Sequence, residues 1–81
     1  MNLQDKVIVI TGGGGGLGRA MAVDFAKKGA KLALIDLGED ALNETVAQVV
    51  AAGSEATIYL ANVTDETDVE QTFEKIANDF N

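Results

Sequence analysis

An 81-residue chain with 13 Asp and Glu against 6 Lys and Arg carries a net charge of −7, and it contains no His, Cys, Pro or Trp. The missing His and Cys exclude Ser-His-Asp and Cys-His nucleophile pairs, zinc fingers, haem attachment and a disulfide framework, and leave only an all-oxygen metal site conceivable. At 47% hydrophobic and 23% charged residues, the composition is that of one globular domain with a single small core.

The first apolar run, Val7-Ile8-Val9-Ile10, is short, β-branched and without alternation, the pattern of a strand buried on both faces. It ends in Thr11 and five consecutive glycines. Beyond them Leu17, Ala20, Met21 and Phe25 recur at helical spacing, and Gly29 after Lys27-Lys28 is a helix stop. Leu32-Ala33-Leu34-Ile35 predicts a second strand closed by Asp36. Leu42, Val46, Val49 and Val50 mark one face of a second helix that Gly53 ends. Residues 55–61 read as a third strand with Ile58 and Leu60 on one face, made more amphipathic by Thr57 and Tyr59. Thr64 and Asp65 offer N-caps to a third helix, Glu66 and Asp68 place acids in its first turn, and Val69, Phe73, Ile76 and Phe80 form its apolar stripe.

Strand and helix therefore alternate as β-α-β-α-β-α, which specifies a parallel α/β sheet. Right-handed crossovers put the first two helices on one face with strand order 3-2-1, half of a doubly wound fold. In that fold the third helix crosses to the opposite face and leads to a fourth strand beyond the first. The chain ends at Asn81 before such a strand, so residues 1–81 are expected to form a truncated half-domain. The outer edge of the first strand is then unpaired and carries no charge or proline to guard it, and self-association is expected there.

Charge is divided unevenly. Residues 1–35 hold five basic residues against two acids, a sum of +3, while residues 36–81 hold eleven acids against Lys75, a sum of −10. So acidic a domain repels nucleic-acid backbones and anionic membranes, and neither is expected as a partner. Met1–Asp5 lacks a basic segment leading into an apolar signal core, and no apolar run approaches the ~18 residues of a membrane span. With the absence of cysteine, this predicts a soluble cytoplasmic protein.

The chemistry-bearing segment is Thr11-Gly12-Gly13-Gly14-Gly15-Gly16-Leu17-Gly18, set between a buried strand and a helix. Absent side chains let backbone approach a diphosphate, and the free N–H groups that open the helix form an anion site. Gly13, Gly15 and Gly18 fit G-x-G-x-x-G; Gly12, Gly16 and Gly18 fit G-x-x-x-G-x-G. A phosphate-loop NTPase would need Lys and Ser or Thr after Gly18, where Arg19 and Ala20 stand. Asp36, 24 residues after Gly12, can accept hydrogen bonds from both adenosine ribose hydroxyls and would repel a 2′-phosphate. No Lys or Arg lies between Gly12 and Gly18, and Leu37 follows Asp36, which favours NAD over NADP.

Thr11-Gly12-x-x-x-Gly16-x-Gly18 after a Lys6-Val7-Ile8-Val9-Ile10 strand, Asp36, and Asn62-Val63 ending the third strand together resemble the short-chain dehydrogenase/reductase family over the whole chain. In detail the segment looks most like 3-oxoacyl-carrier-protein reductases and related bacterial 3-hydroxyacyl or sugar-alcohol dehydrogenases. The resemblance implies a Rossmann half-domain that binds NAD. Gly12, Gly16 and Gly18 would line the diphosphate, Asp36 would hold the adenosine ribose, and Asn62 with the Val63 backbone would meet the adenine edge, with Gly14, Gly15, Leu17 and Leu37 completing the cofactor-binding set. Asp is commoner at position 62; Asn62 keeps a carbonyl acceptor for the adenine amino group, with a plain strand-end turn as the alternative. Arg19 either begins a solvated helix face or touches phosphate.

Family members transfer hydride with a Ser and a Tyr-x-x-x-Lys pair after an Asn-Ala-Gly segment. None of these occurs here. The single Tyr, Tyr59, reads as sheet packing and the single Ser, Ser54, as turn, so the chain contains no catalytic or metal residue and is expected to be inactive alone. Three function classes remain: the cofactor-binding part of an NAD-dependent oxidoreductase whose assembled form would be a tetramer, a stand-alone adenine-nucleotide module, and a non-binding interaction domain.

Overall fold

The computed structural model describes residues 2–80; Met1 and Asn81, which bear on the N-terminal and chain-end expectations, lie outside the described residues. The elements run β1 (Val7–Thr11), α1 (Gly16–Lys27), β2 (Lys31–Asp36), α2 (Glu39–Ala51), β3 (Ala56–Leu60) and α3 (Glu66–Phe80). The three strands form one parallel sheet in the order β1-β2-β3, with Val7 opposite Lys31 and Thr11 opposite Ile35, then Leu32 opposite Ala56 and Asp36 opposite Leu60. This is the expected α/β half-fold.

Side chains alternate across β2 with the period of two that a pleated strand imposes, and each set has its own core. On one face Leu32 and Leu34 pack with Ile10, Ala22, Ala26, Leu42 and Val49 under α1 and α2. On the other, Ala33 and Ile35 pack with Tyr59, Ala61 and Ile76, with Val9 and Phe80 alongside, under α3. The third helix thus covers the opposite face, as expected of a doubly wound fold.

Several residue-level expectations are corrected. β2, not β1, is the strand buried on both faces, because β1 is a sheet edge among the described strands and its Val7 is exposed. On α1 the buried residues are Gly18, Ala22 and Ala26, whereas Leu17, Ala20 and Met21 are exposed: a helix pressed onto a sheet turns its smallest residues inward. On α2 Thr45 is buried and Val50 exposed, since at about 100° per residue Val50 lies off the edge of the Leu42, Val46, Val49 stripe. On β3 it is Tyr59 that is buried while Leu60, at the strand end, is exposed. Phe73 is exposed and Thr72 faces the sheet in its place, with its hydroxyl satisfied by the Asp68 carbonyl at 2.7 Å.

Helix ends follow the sequence. Gly29 and Gly53 take φ of 95° and 96°, the left-handed conformation that stops α1 and α2. Asp65, rather than Thr64, caps α3: its Oδ1 accepts the Asp68 amide at 3.1 Å. Ser54 donates to the Ala30 carbonyl and so ties the turn before β3 to the start of β2.

Candidate functional site

The glycine turn, Asp36 and Asn62 all lie at the C-terminal ends of the parallel strands, where a doubly wound sheet opens its ligand crevice. Backbone bonds anchor the turn to the sheet: the amides of Gly12 and Gly13 both donate to the Ile35 carbonyl, at 2.8 and 3.1 Å. Gly12 takes φ of 70°, reversing the chain, and its carbonyl then accepts the Gly15 amide at 3.1 Å.

The lack of side chains is required at two points by close approach. A Cβ on Gly18 would enter the van der Waals envelope of the Gly12 carbonyl oxygen and lie 3.1 Å from Gly13 Cα, so only glycine lets α1 start against the turn. A Cβ on Gly14 would come 3.1 Å from Asp36 Oδ2 and 2.9 Å from Ala41 Cβ. Gly15 caps α1 without any side-chain hydrogen bond, and the first turn of α1 holds no acid. The amides opening this helix, on Gly16, Leu17 and Gly18, therefore form a positive helix end that no acid of its first turn offsets.

Asp36 is half-buried at the end of β2, and its carboxylate is held at both oxygens. Oδ1 accepts the Leu37 amide at 2.8 Å and Oδ2 the Gly14 amide at 3.1 Å. A carboxylate has about four lone-pair sites, so two remain for outside donors. Leu37 and Val63 leave large apolar surfaces exposed beside Asp36 and Asn62.

Asn62 is placed in a turn. Its Oδ1 accepts both the Thr64 amide at 3.0 Å and the Thr64 hydroxyl at 2.6 Å, while its backbone N–H donates to Asp68 Oδ2 at 2.7 Å. Both lone pairs of the side-chain carbonyl are thereby used, so the acceptor expected for an adenine amino group is not on offer; the side chain retains only its amide donors.

Thr45 lies beside the turn without having been expected there, and Arg19 takes neither of the two roles expected of it. Arg19 of α1 is neither on a solvated face nor turned outward to an anion: its Nε donates to Thr45 Oγ1 at 3.0 Å, and its Nη2 to the carbonyls of Gly14 at 3.3 Å and Ala41 at 3.0 Å. Thr45, fully buried on α2, donates to the Gly13 carbonyl at 2.7 Å. The available signal was a threonine inside an otherwise apolar helix stripe.

Tyr59 pairs with Ile35 in the sheet, but its hydroxyl is committed to α3. Its hydroxyl donates to Asp79 Oδ2 at 2.7 Å, and burial first, then that bond, pushes the phenol well above its ordinary range. It is a packed, neutral side chain. Along the open side of β1, a groove of about 680 Å³ runs from Ile8 and Ile10 past the glycine turn to Leu17, Met21 and Phe25.

The short chain dehydrogenase family model matches residues 6–81. An uncharacterized oxidoreductase of Thermotoga maritima is 41% identical over 80 residues, covering 99% of this chain and 31% of that protein. Levodione reductase of Leifsonia aquatica is 46% identical over 68 residues, covering 82% of this chain and 26% of the relative. Among solved structures, NAD+-bound xylitol dehydrogenase superposes with a TM-score of 0.94 at 36% identity, over 99% of this chain and 31% of that one. A crystal structure of levodione reductase gives 0.92 at 40% identity, over 95% and 31%. The chain thus spans about a third or less of the length of these relatives, at the segment that carries the glycine turn and Asp36. With the matched segment covering nearly every residue, the chain belongs to the short-chain dehydrogenase family.

Proposed function

We propose that this chain is the cofactor-binding part of an NAD-dependent oxidoreductase whose reaction is hydride transfer between nicotinamide and a carbonyl or secondary alcohol. The observation that carries the reading is the Asp36 carboxylate, fixed by the Gly14 and Leu37 amides with two acceptor sites free. Two ribose hydroxyls match those two sites, while a 2′-phosphate would meet like charge with no Lys or Arg between Gly12 and Gly18 to offset it. The amides of Gly16, Leu17 and Gly18 would receive the diphosphate at the start of α1. Leu37 and Val63 offer apolar contact to the adenine ring. NAD supplies the hydride chemistry; the residues present bind and orient it.

The substrate class rests on the relatives, a levodione reductase and a xylitol dehydrogenase. A 3-oxoacyl-carrier-protein reductase-like substrate, suggested by the detail of the sequence, is a narrower form of the same carbonyl chemistry. We also read the chain as cytoplasmic, on its cysteine-free composition, and as self-associating through the open β1 edge. No helix among the described residues is long and apolar enough to cross a membrane.

Calorimetric titration tests the cofactor assignment. NAD should bind more tightly than NADP, and Asp36→Ala should weaken NAD at least about tenfold, the worth of a single charge-assisted hydrogen bond, while relieving the bias against NADP. A wild-type chain that prefers NADP refutes the ribose assignment.

A further inference from the structure

We propose that Arg19 and Thr45 are positioning residues of the cofactor site, which hold the Gly13–Gly14 backbone so that the Gly14 amide aims the Asp36 carboxylate at the ribose. The ribose half of this statement rests on the reading of Asp36 given above.

The argument starts from the peptide unit. The Gly13 carbonyl and the Gly14 N–H belong to one planar trans group and point in opposite directions. Thr45 Oγ1 grips the carbonyl at 2.7 Å on the α2 side, and the N–H is thereby turned to Asp36 Oδ2, at 3.1 Å. The next peptide repeats the device. Arg19 Nη2 reaches the Gly14 carbonyl, and the Gly15 N–H of the same unit meets the Gly12 carbonyl.

The backbone bonds of the turn, from Gly12 and Gly13 to Ile35 and from Gly15 to Gly12, do not reach the Gly13 carbonyl or the Gly14 N–H. Five successive glycines have no side chains of their own to restrict their dihedrals, so the turn must be held from outside. Arg19 and Thr45 come from different helices and are tied together at 3.0 Å, and Arg19 also reaches the Ala41 carbonyl. Through Nε and Nη2 the guanidinium thus bonds Thr45 and two carbonyls, and no carboxylate among the described residues. A cation within hydrogen-bond reach of the turn also adds attraction for a diphosphate without touching it.

The test uses the 81-residue chain with Thr45→Val, which keeps the shape and deletes the hydroxyl, Thr45→Ser, which restores it, and Arg19→Met, which keeps the stem and deletes the fork. Three quantities are read: NAD affinity, NADP affinity, and amide hydrogen exchange at Gly14 in the ligand-free protein. Thr45→Val and Arg19→Met should lower the NAD to NADP affinity ratio about fivefold, the worth of one mis-aimed hydrogen bond, and speed Gly14 exchange, with Thr45→Ser returning both to wild type. If NAD and NADP weaken by the same factor while only stability falls, Thr45 is packing and the proposal is overturned. A wild-type chain that binds neither nucleotide overturns the ribose half together with the proposed function. In that case exchange decides the clamp: faster Gly14 exchange in Thr45→Val, with sheet amides unchanged, upholds it, and unchanged Gly14 exchange overturns it.

Discussion

Gly18→Ala sets helix propensity against close packing, and the structure decides the sign. Gly18 sits in the first turn of α1 and is buried. Propensity alone favours alanine in a helix by about 1 kcal/mol. Against that, the new Cβ would fall inside the envelope of the Gly12 carbonyl oxygen, 3.0 Å from the Gly12 carbonyl carbon and 3.1 Å from Gly13 Cα. All three atoms are backbone, so no rotamer can relieve the overlap and the turn must separate from the helix. Overpacking costs about 1–3 kcal/mol where neighbours can shift. With backbone on both sides the upper part of that range applies, leaving a net loss of about 1–2 kcal/mol. In a domain of this size that lowers Tm by roughly 5–15 °C. Gly16→Ala is the control, since a Cβ there meets nothing within 4 Å and only backbone entropy acts, for a gain of about 0.4–1 kcal/mol. Urea unfolding followed by helical circular dichroism measures both. Equal stability of Gly18→Ala and wild type, or a loss in Gly16→Ala as large as that in Gly18→Ala, refutes the reasoning.

Leu34→Ala empties a fully buried position between β2 and the α1–α2 layer, and should cost about 2–5 kcal/mol, enough to leave so small a domain largely unfolded by chemical denaturation; a loss under 1 kcal/mol would contradict the core described. Because the Tyr59 phenol titrates higher in the folded state than its ordinary value of about 10, its contribution is full below that pH and is lost as pH rises toward the folded value, by up to about 1.4 kcal/mol per pH unit. Tyr59→Phe should cost about 1 kcal/mol at neutral pH and remove that alkaline slope, and identical slopes in the two proteins would exclude the Asp79 contact. Sedimentation over a wide concentration range should show small oligomers that Val7→Lys, a charge set on the open edge of β1, dissociates; a wild-type chain that stays monomeric throughout sinks edge pairing.

The order of elements and the parallel sheet were legible because they depend on periodicity and on the handedness of crossovers, and the side taken by α3 because it follows the doubly wound pattern. Which residues of each helix face the sheet was less so. Weighting apolar residues by size selects Leu17, Met21 and Phe25 on α1, whereas contact with a sheet selects by smallness, and the Gly18, Ala22, Ala26 repeat at four-residue spacing carried that signal. Those larger residues lie instead along the groove beside β1. Similarly, Thr45 looks like an interruption of an apolar stripe until the Gly13 carbonyl is found opposite its hydroxyl.

The site divides along the same line. Glycine spacing and a strand-end carboxylate were readable because backbone approach and ribose recognition demand those residue types. The turn at Asn62 stood in the sequence only as the alternative to an adenine contact, and the bonds of its oxygen to Thr64 are what favour it. The hold on the glycine turn was not readable. Its acceptors are the carbonyls of Gly13, Gly14 and Ala41, groups that every residue type shares, and Thr45 lies 26 positions beyond the Arg19 it meets. A turn made only of glycine carries no side-chain trace of what orders it. Its restraints have to be sought in buried polar residues on neighbouring helices, where they read in sequence as misplaced members of an apolar face.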